Sequence, residues 1–172
     1  MPSTTTDPSL ERTDLLQTLA KHRGFLLHTV QGLTDEQASA TPTASALCLG
    51  GLIKHVAFCE SGWVDFIVDG TSAMESSPDS YDDHTNSFRL LEGESLAGVL
   101  AHYEGVAKRT DDLVRTLPDL DLSHPLPEAP WFEAGASWSA RRVFLHVIAE
   151  TAQHAGHADI LRETLDGQRT MG

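Results

Sequence analysis

Basic residues are scarce in this chain. Twelve lysines and arginines stand against 25 acids, for a net charge of -13. A general nucleic-acid binder needs a basic face, so that class is argued against, and docking on anionic lipid is disfavoured as well. Cysteine is nearly absent. Cys48 and Cys59 fall on one expected helix, where a bridge would close no useful loop, which points to a reducing compartment. No apolar run approaches the length of a membrane span, and Met1 to Pro8 lacks the apolar core of a signal peptide. A cytoplasmic protein with no membrane partner is the expectation. Aromatics are few, at 6%, but hydrophobic residues reach 40% and charged residues 22%, as in ordinary globular proteins rather than disordered ones. At 172 residues the chain is expected to form one domain, with its core over about 9–167. Such a domain buries roughly 70% of the surface of its unfolded chain and needs no disulfide scaffold. Arginine exceeds lysine and alanine is abundant, a weak lean toward a bacterial source.

What is present is helical periodicity. Leu15, Leu16, Leu19, Leu26, Leu27 and Val30 recur at three- and four-residue steps, predicting a first helix from Ser9 to Gln31 that Gly32 ends. Thr34 and Gln37 match a capping box for a short turn. A second helix is expected from Leu47 to Val68, with Ser45 as N-cap and Gly70 beyond its end. The polar stretch from Thr71 to Glu92 reads as a long loop, too polar to form core, of the kind that is often functional. Its acidic run, Asp79, Asp82 and Asp83 with His84, lacks the spacing and glycine of a calcium loop and reads as solvated. A third helix is expected from Ser95 to Leu117, stopped by Pro118. A proline-rich irregular stretch runs to Ala136, and a fourth helix from Ser139 to Leu165 is closed by Gly167. No strand of period two stands out. The fold class is therefore all-α, a four-helix bundle.

The fourth helix carries the main chemical signal. His146, Glu150, His154 and His157 fall inside an arc of about 80° at 100° per residue. Val143, Val147 and Leu161 border that arc, so the stripe is not an ordinary solvated face. A carboxylate in apolar surroundings must be paired or ligated, because an isolated buried charge costs several kcal/mol. Either these groups bond one another around a wet groove, or they bind a metal ion. On the second helix His55 shares an apolar face with Cys48, Leu52, Cys59, Trp63 and Phe66. Taken alone it reads as a core histidine satisfied by a neighbour. Facing helices in a bundle lie about 8–10 Å apart, however, so side chains from two of them can meet one ion. His55, Glu150 and His154 then give three ligands with open positions, the pattern of a catalytic site. Cys59, one turn from His55, is a small buried hydrophobe or an alternative ligand. Trp63 is core that can also line a pocket wall. Leu145, Ala149, Ala152 and Gly156 form another face, expected to pack against a helix of the same chain.

The same residues carry a family resemblance. The segment "GLIKHV" around His55, the segment "RLLEGESLAGVLAHYE" at the third helix, and "SWSARRVFLHVIAETAQHAGHADILRETLDG" at the fourth resemble the DinB-like metal-binding bundles, over roughly residues 10–168. That group (DinB/YfiT-like) includes mycothiol- and bacillithiol-dependent enzymes, and the chain is most similar to a subfamily usually described as of unknown function. The resemblance implies a divalent ion on His55, Glu150 and His154. Zinc is the first choice, with nickel or iron(II) as alternatives. Glu150, where many members carry histidine, matches the branch resembling mycothiol-dependent maleylpyruvate isomerase. That isomerase has a further C-terminal domain, for which a chain ending at Gly172 has no room, so its particular reaction is not carried over. His157 falls where many relatives carry glutamine, and His146 lies one turn before Glu150. These two are the acid–base candidates, and Trp63 and Cys59 the candidates to face a bound cosubstrate. The implied activity is S-transfer or thiol-assisted isomerisation, with a low-molecular-weight thiol such as mycothiol and an electrophile as substrates. Metal-dependent hydrolysis and a non-catalytic metal- or ligand-binding stress protein are the alternatives. The resemblance also makes a homodimer an expectation.

Overall fold

The structure, a computed structural model, describes residues 8–75 and 80–170. Six α-helices run in chain order: α1 (Pro8–His28), α2 (Asp35–Ser39), α3 (Leu49–Asp69), α4 (Ser80–Ser87), α5 (Leu96–Thr116) and α6 (Ala140–Asp166). The four long ones, α1, α3, α5 and α6, form an all-α bundle in which α1 packs on α6, α6 on α3, α3 on α5, and α5 back on α1. Two three-residue strands, β1 (Ser123–Pro125) and β2 (Ser137–Ser139), pair antiparallel in register Ser123 to Ser139. They are too short for an alternation of side chains to announce them. Among the described residues, no helix is long and apolar enough to cross a membrane.

Helix ends follow from local chemistry. Thr34 and Gln37 close the expected capping box on α2. Ser95 and Ser139 accept from the backbone amides of Gly98 and Arg142 and so start α5 and α6. Gly167, at φ +81°, ends α6 in the left-handed region that a glycine enters without a Cβ clash. The first residues of α3 differ from expectation. Ser45 does not cap it: Ser45 Oγ accepts from Leu47 N at 3.2 Å, and the cap is Cys48, whose Sγ accepts from Gly51 N at 3.3 Å. Helix α1 stops at His28 rather than Gln31, and the buried Arg162 of α6 donates to the carbonyls of Thr29 and Gln31, both at 2.9 Å. Carbonyls stranded by the end of α1 are thus satisfied by a side chain from another helix.

The stretch expected to be one long loop is partly ordered. A 3-10 turn (Gly70–Met74) continues α3, and α4 forms within the polar run. Helix α4 is amphipathic in a minimal sense: Tyr81, Asp82, Asp83 and His84 are exposed, while Ser87 at its end is 2% exposed. Asp79 and Pro78 lie outside the described residues.

The core is divided by a polar layer to which every long helix contributes. Arg23 lies between Leu19 and Leu26, Glu60 between Val56 and Trp63, Thr110 between Val106 and Val114, and Thr151 between Val147 and Ala155. Arg23 Nη2 meets Glu60 Oε1 at 2.5 Å, and Arg23 Nη1 meets Asp111 at 2.8 Å. Thr110 donates to the same Glu60 oxygen at 2.5 Å. Glu60 is 1% exposed and Arg23 6% exposed, so this ion pair is buried and bonded on both sides. Such a pair adds little net stability but is expensive to break singly, because the partner is left charged in the interior. Arg23→Met alone is therefore expected to lower unfolding free energy by about 3–5 kcal/mol. The Arg23→Met, Glu60→Leu double variant should recover most of that loss, as read by urea denaturation of all four proteins.

Candidate metal centre

Helices α3 and α6 bring the predicted residues to one place beside the polar layer. His55 projects from the middle of α3 and is 2% exposed. Its surroundings fix its tautomer. The Ser87 hydroxyl has one proton and donates it to the carbonyl of His84 at 2.6 Å. Ser87 Oγ must then accept from His55 Nδ1, 2.8 Å away. That leaves Nε2 with its lone pair free. Burial pushes the His55 pKa down, so the ring is neutral near pH 7. Phe88 stacks on the imidazole at 3.6 Å and 20°, and His84 meets its edge at 5.4 Å.

His55 Nε2 accepts from the Cys59 thiol, whose Sγ lies 3.4 Å away, and Glu150 Oε1 lies 3.8 Å from the same nitrogen. One donor atom from each of His55, Cys59 and Glu150 lies within 4.8 Å of the other two. Glu150 Oε1 is also 3.2 Å from His154 Nε2, and the His154 ring stands edge-on to His55 at 4.9 Å. The contact with His154 holds the Glu150 carboxyl well below the usual carboxylate range. Burial, followed by the charge of Glu150, pushes the Cys59 thiol up to about 12, so without a cation it stays protonated. A neutral imidazole lone pair opposite an ionised carboxylate is an arrangement that a cation between them stabilises.

Donor spacing agrees with an ion. Tetrahedral ligands bound at about 2.0–2.3 Å lie roughly 3.3–3.8 Å from one another. The 3.2 Å and 3.8 Å separations of Glu150 Oε1 from its two histidines bracket that interval. Among the described residues the three donors that converge are those of His55, Cys59 and Glu150, while His154 is outside that group and reaches it through Glu150; nitrogen with carboxylate oxygen suits zinc, nickel or iron(II).

Other expected residues take supporting positions. His157 is exposed, and its Nδ1 lies 3.4 Å from His154 Nδ1, one turn behind the donor edge. His146 stands edge-on to Trp63 at 4.8 Å and to Trp138 at 5.2 Å, and burial pushes its pKa down. Trp63 is 8% exposed and stacks on Trp138 at 4.8 Å and 12°. Trp63, Cys59 and Ser87 also border a cleft of about 1010 Å³ that opens along α3 toward Lys54, Phe58 and Glu94. Lys54 is occupied with Glu94 at 2.7 Å and takes no part in the cluster. Cys48, 2% exposed, is a core residue and helix cap.

Ser87, Phe88 and His84 were invisible as site residues, because the polar run that holds α4 hides any periodicity. One local signal existed. Gly51 sits where a Cβ would come within 1.9 Å of the Phe88 carbonyl oxygen, so the "LGGL" glycines mark a close backbone approach to α3.

A family model described as mycothiol-S-transferase (MST) matches residues 14–167, and the chain belongs to that family. No curated protein matches it.

Two substitutions test how the site is held. Ser87→Ala leaves a buried imidazole N–H without an acceptor and should cost about 1–3 kcal/mol in the metal-free protein, read by chemical denaturation. It should also weaken metal binding by roughly 10–100-fold, the range for loss of a group that orients a ligand, read by competition with a chromophoric chelator. Gly51→Ala should force the 87–88 backbone away from α3 and release the Phe88 ring from His55. The check is loss of the ring-current shift on the His55 Cε1 proton in NMR spectra.

Proposed function

We propose that this member of the mycothiol-S-transferase family is a divalent-metal-dependent enzyme. In this reading it uses a low-molecular-weight thiol of the mycothiol type for S-transfer to an electrophile, or for thiol-assisted isomerisation. The observation that carries the reading is the His55 lone pair aimed at the ionised Glu150 carboxylate, with His154 on the same oxygen. His55, Glu150 and His154 would hold the ion, with zinc preferred and nickel or iron(II) accepted by the same donors. Bound there, a divalent cation supplies stabilisation of a thiolate over a thiol near neutral pH.

The chain's own residues do the rest. Ser87 keeps the His55 proton on Nδ1, and Phe88 covers the ring face, so Nε2 stays a donor. Trp63 and Cys59 lie on the wall of the cleft and would flank the incoming thiol. His146 is neutral because of its burial and lies one turn before Glu150, which suits it to take the thiol proton. His157 would orient His154 or pass a proton to solvent from its exposed position.

Two further expectations belong to the same reading. Both cysteines are free, which suits a cytoplasmic protein. The face of α6 that carries Leu145, Ala149 and Gly156 is exposed, with Leu145 at 54% and Ile160 beyond it at 62%, instead of packing on a helix of the same chain. A homodimer through that face would cover it.

The decisive measurement uses protein purified without an affinity tag. Elemental analysis should give one divalent ion per chain, and Glu150→Ala should strip it. Turnover of a model electrophile should require the thiol and fall at least a hundredfold in Glu150→Ala. Turnover of an ester or amide without any thiol would favour metal-assisted hydrolysis. Stoichiometric metal with neither activity would favour a binding protein. Full metal content in Glu150→Ala would overturn the ligand assignment.

A further inference from the structure

Arg142, two turns before Glu150 on α6, is an arginine without an acid. Its neighbour Arg141 pairs with both Glu11 and Asp121. Among the described residues no carboxylate lies within ion-pair distance of Arg142, although the chain carries 25 acids against 12 bases. Its guanidinium lies instead over the Trp138 ring, 4.6 Å from the centroid, and Trp138 in turn stacks on Trp63 at 4.8 Å and 12°. A guanidinium laid on an indole has one face covered and its position fixed, while the N–H donors in its plane stay available at the edge. That fork matches a carboxylate, which it can bind through two parallel hydrogen bonds. Packing on Trp138 explains the ring contact and leaves those donors unused.

The arginine belongs to an open strip of α6. Arg142 and Gln153 are exposed, and His146 and Glu150 between them are half-buried. Steps of four residues place Arg142, His146 and Glu150 one above another, with a rise of about 12 Å from the first to the last. None of these three lines the cleft along α3, so the Glu150 carboxylate has a second approach, over α6. The two approaches differ in charge. Glu75, Asp83 and Glu94 stand on the cleft wall, whereas the strip offers a cation. Aromatic rings border the strip as well. Phe132 is edge-on to Trp138 at 6.0 Å and to the exposed Trp131 at 6.2 Å. An exposed indole joined to an aromatic wall offers contact area to a planar ligand.

We propose that Arg142 binds the carboxylate of the electrophile, and that the electrophile is a planar aromatic acid approaching over α6 while the thiol enters by the cleft along α3. The proposal rests on the S-transfer reading of the proposed function and adds the chemical class of the second substrate. Trp138 is a positioning residue that holds the guanidinium. In the transfer the thiol gives up its proton to a base, the sulfur forms a bond to a ring carbon, and the leaving group departs with the electron pair of its broken bond. Arg142 exchanges neither proton nor electron. The two-turn separation selects an acid group across the ring from the reacting carbon rather than one beside it.

The test is calorimetric titration of the full chain, with and without one equivalent of zinc. The probes are 3,5-dinitrobenzoate and its neutral counterpart 1,3-dinitrobenzene. The acid should bind at least roughly tenfold more tightly than the neutral ring, whether or not zinc is present. Arg142→Gln, a change at an exposed position, should abolish that preference. Arg142→Lys keeps the charge without the fork and should retain only part of it. Trp138→Leu should lower the preference too, and should lower it no further in the Arg142→Gln background. Equal affinities in the unmodified protein, or a preference that survives Arg142→Gln, overturn the proposal. A preference seen only with zinc puts the carboxylate on the ion and overturns it equally. Turnover with mycothiol separates this proposal from the reading beneath it. The ratio of kcat/KM for 4-chloro-3,5-dinitrobenzoate to that for 1-chloro-2,4-dinitrobenzene should fall at least roughly tenfold in Arg142→Gln. If the unmodified zinc protein turns over neither compound, the S-transfer reading fails, and the titration still decides the anion site.

Discussion

A buried, neutral imidazole that cannot turn around is the constraint on which this site depends. His55 has one ring nitrogen bound to Ser87, whose own proton is already given to the His84 carbonyl. The other nitrogen therefore accepts from the Cys59 thiol and faces the Glu150 carboxylate. Protonating that nitrogen would ease the contact with Glu150, but burial opposes a charged ring. Two acceptors held face to face by helices that pack for other reasons are what the proposed cation site would need, because the arrangement exists without an ion and little would have to be reordered on binding.

The helices are held in that relation by features distant from the chemistry. Arg23, Glu60, Thr110 and Asp111 tie α1, α3 and α5 together at one level, and Thr151 on α6 completes the layer. A layer of this kind specifies alignment more than it adds stability: sliding one helix by a turn would bury Arg23 or Glu60 against leucine. Glu60 is one residue from Cys59 and five from His55 on α3, while Thr151 adjoins Glu150 on α6. Alignment of the polar layer is thus also alignment of His55, Cys59 and Glu150. The short α4 segment, pressed against α3 across Gly51, then supplies Ser87 and Phe88 from outside the bundle.

The bundle and most of the donors were legible in the sequence because both depend on helical spacing. Residues such as His146, Glu150 and His154 share a face wherever the helix is placed, and the four long helices declare themselves by apolar periodicity. The capping box at Thr34 and the stop at Gly167 are local and were readable for the same reason. What spacing does not encode is contact between distant segments. Ser87 lies 32 residues from His55, in a run whose composition reads as solvated loop. The N-cap of α3 is Cys48 instead of Ser45, and the Cys48 thiol also donates to the Phe88 carbonyl at 3.8 Å, another long-range contact. The relation of Leu145 and Gly156 to solvent likewise depends on which faces the neighbouring helices cover. No pattern on α6 alone supplies that.

The strong negative charge of the chain acquires a consequence once the site is known. With 25 acids against 12 bases, the surface potential draws divalent cations toward the protein and repels anions. Glu94, on the cleft wall, is balanced by Lys54, and Asp65 by Arg109 at 2.6 Å, but Glu75 and Asp83 also line the cleft, so the immediate approach is acidic like the chain as a whole. A low-molecular-weight thiol is uncharged at its sulfur until it loses its proton, so it can cross this field without an electrostatic penalty on the reacting atom. An anionic nucleophile would meet repulsion over the whole approach, within about a Debye length of the surface. The charge distribution therefore favours a nucleophile that arrives protonated, which is the form in which the proposed reaction would take up its thiol.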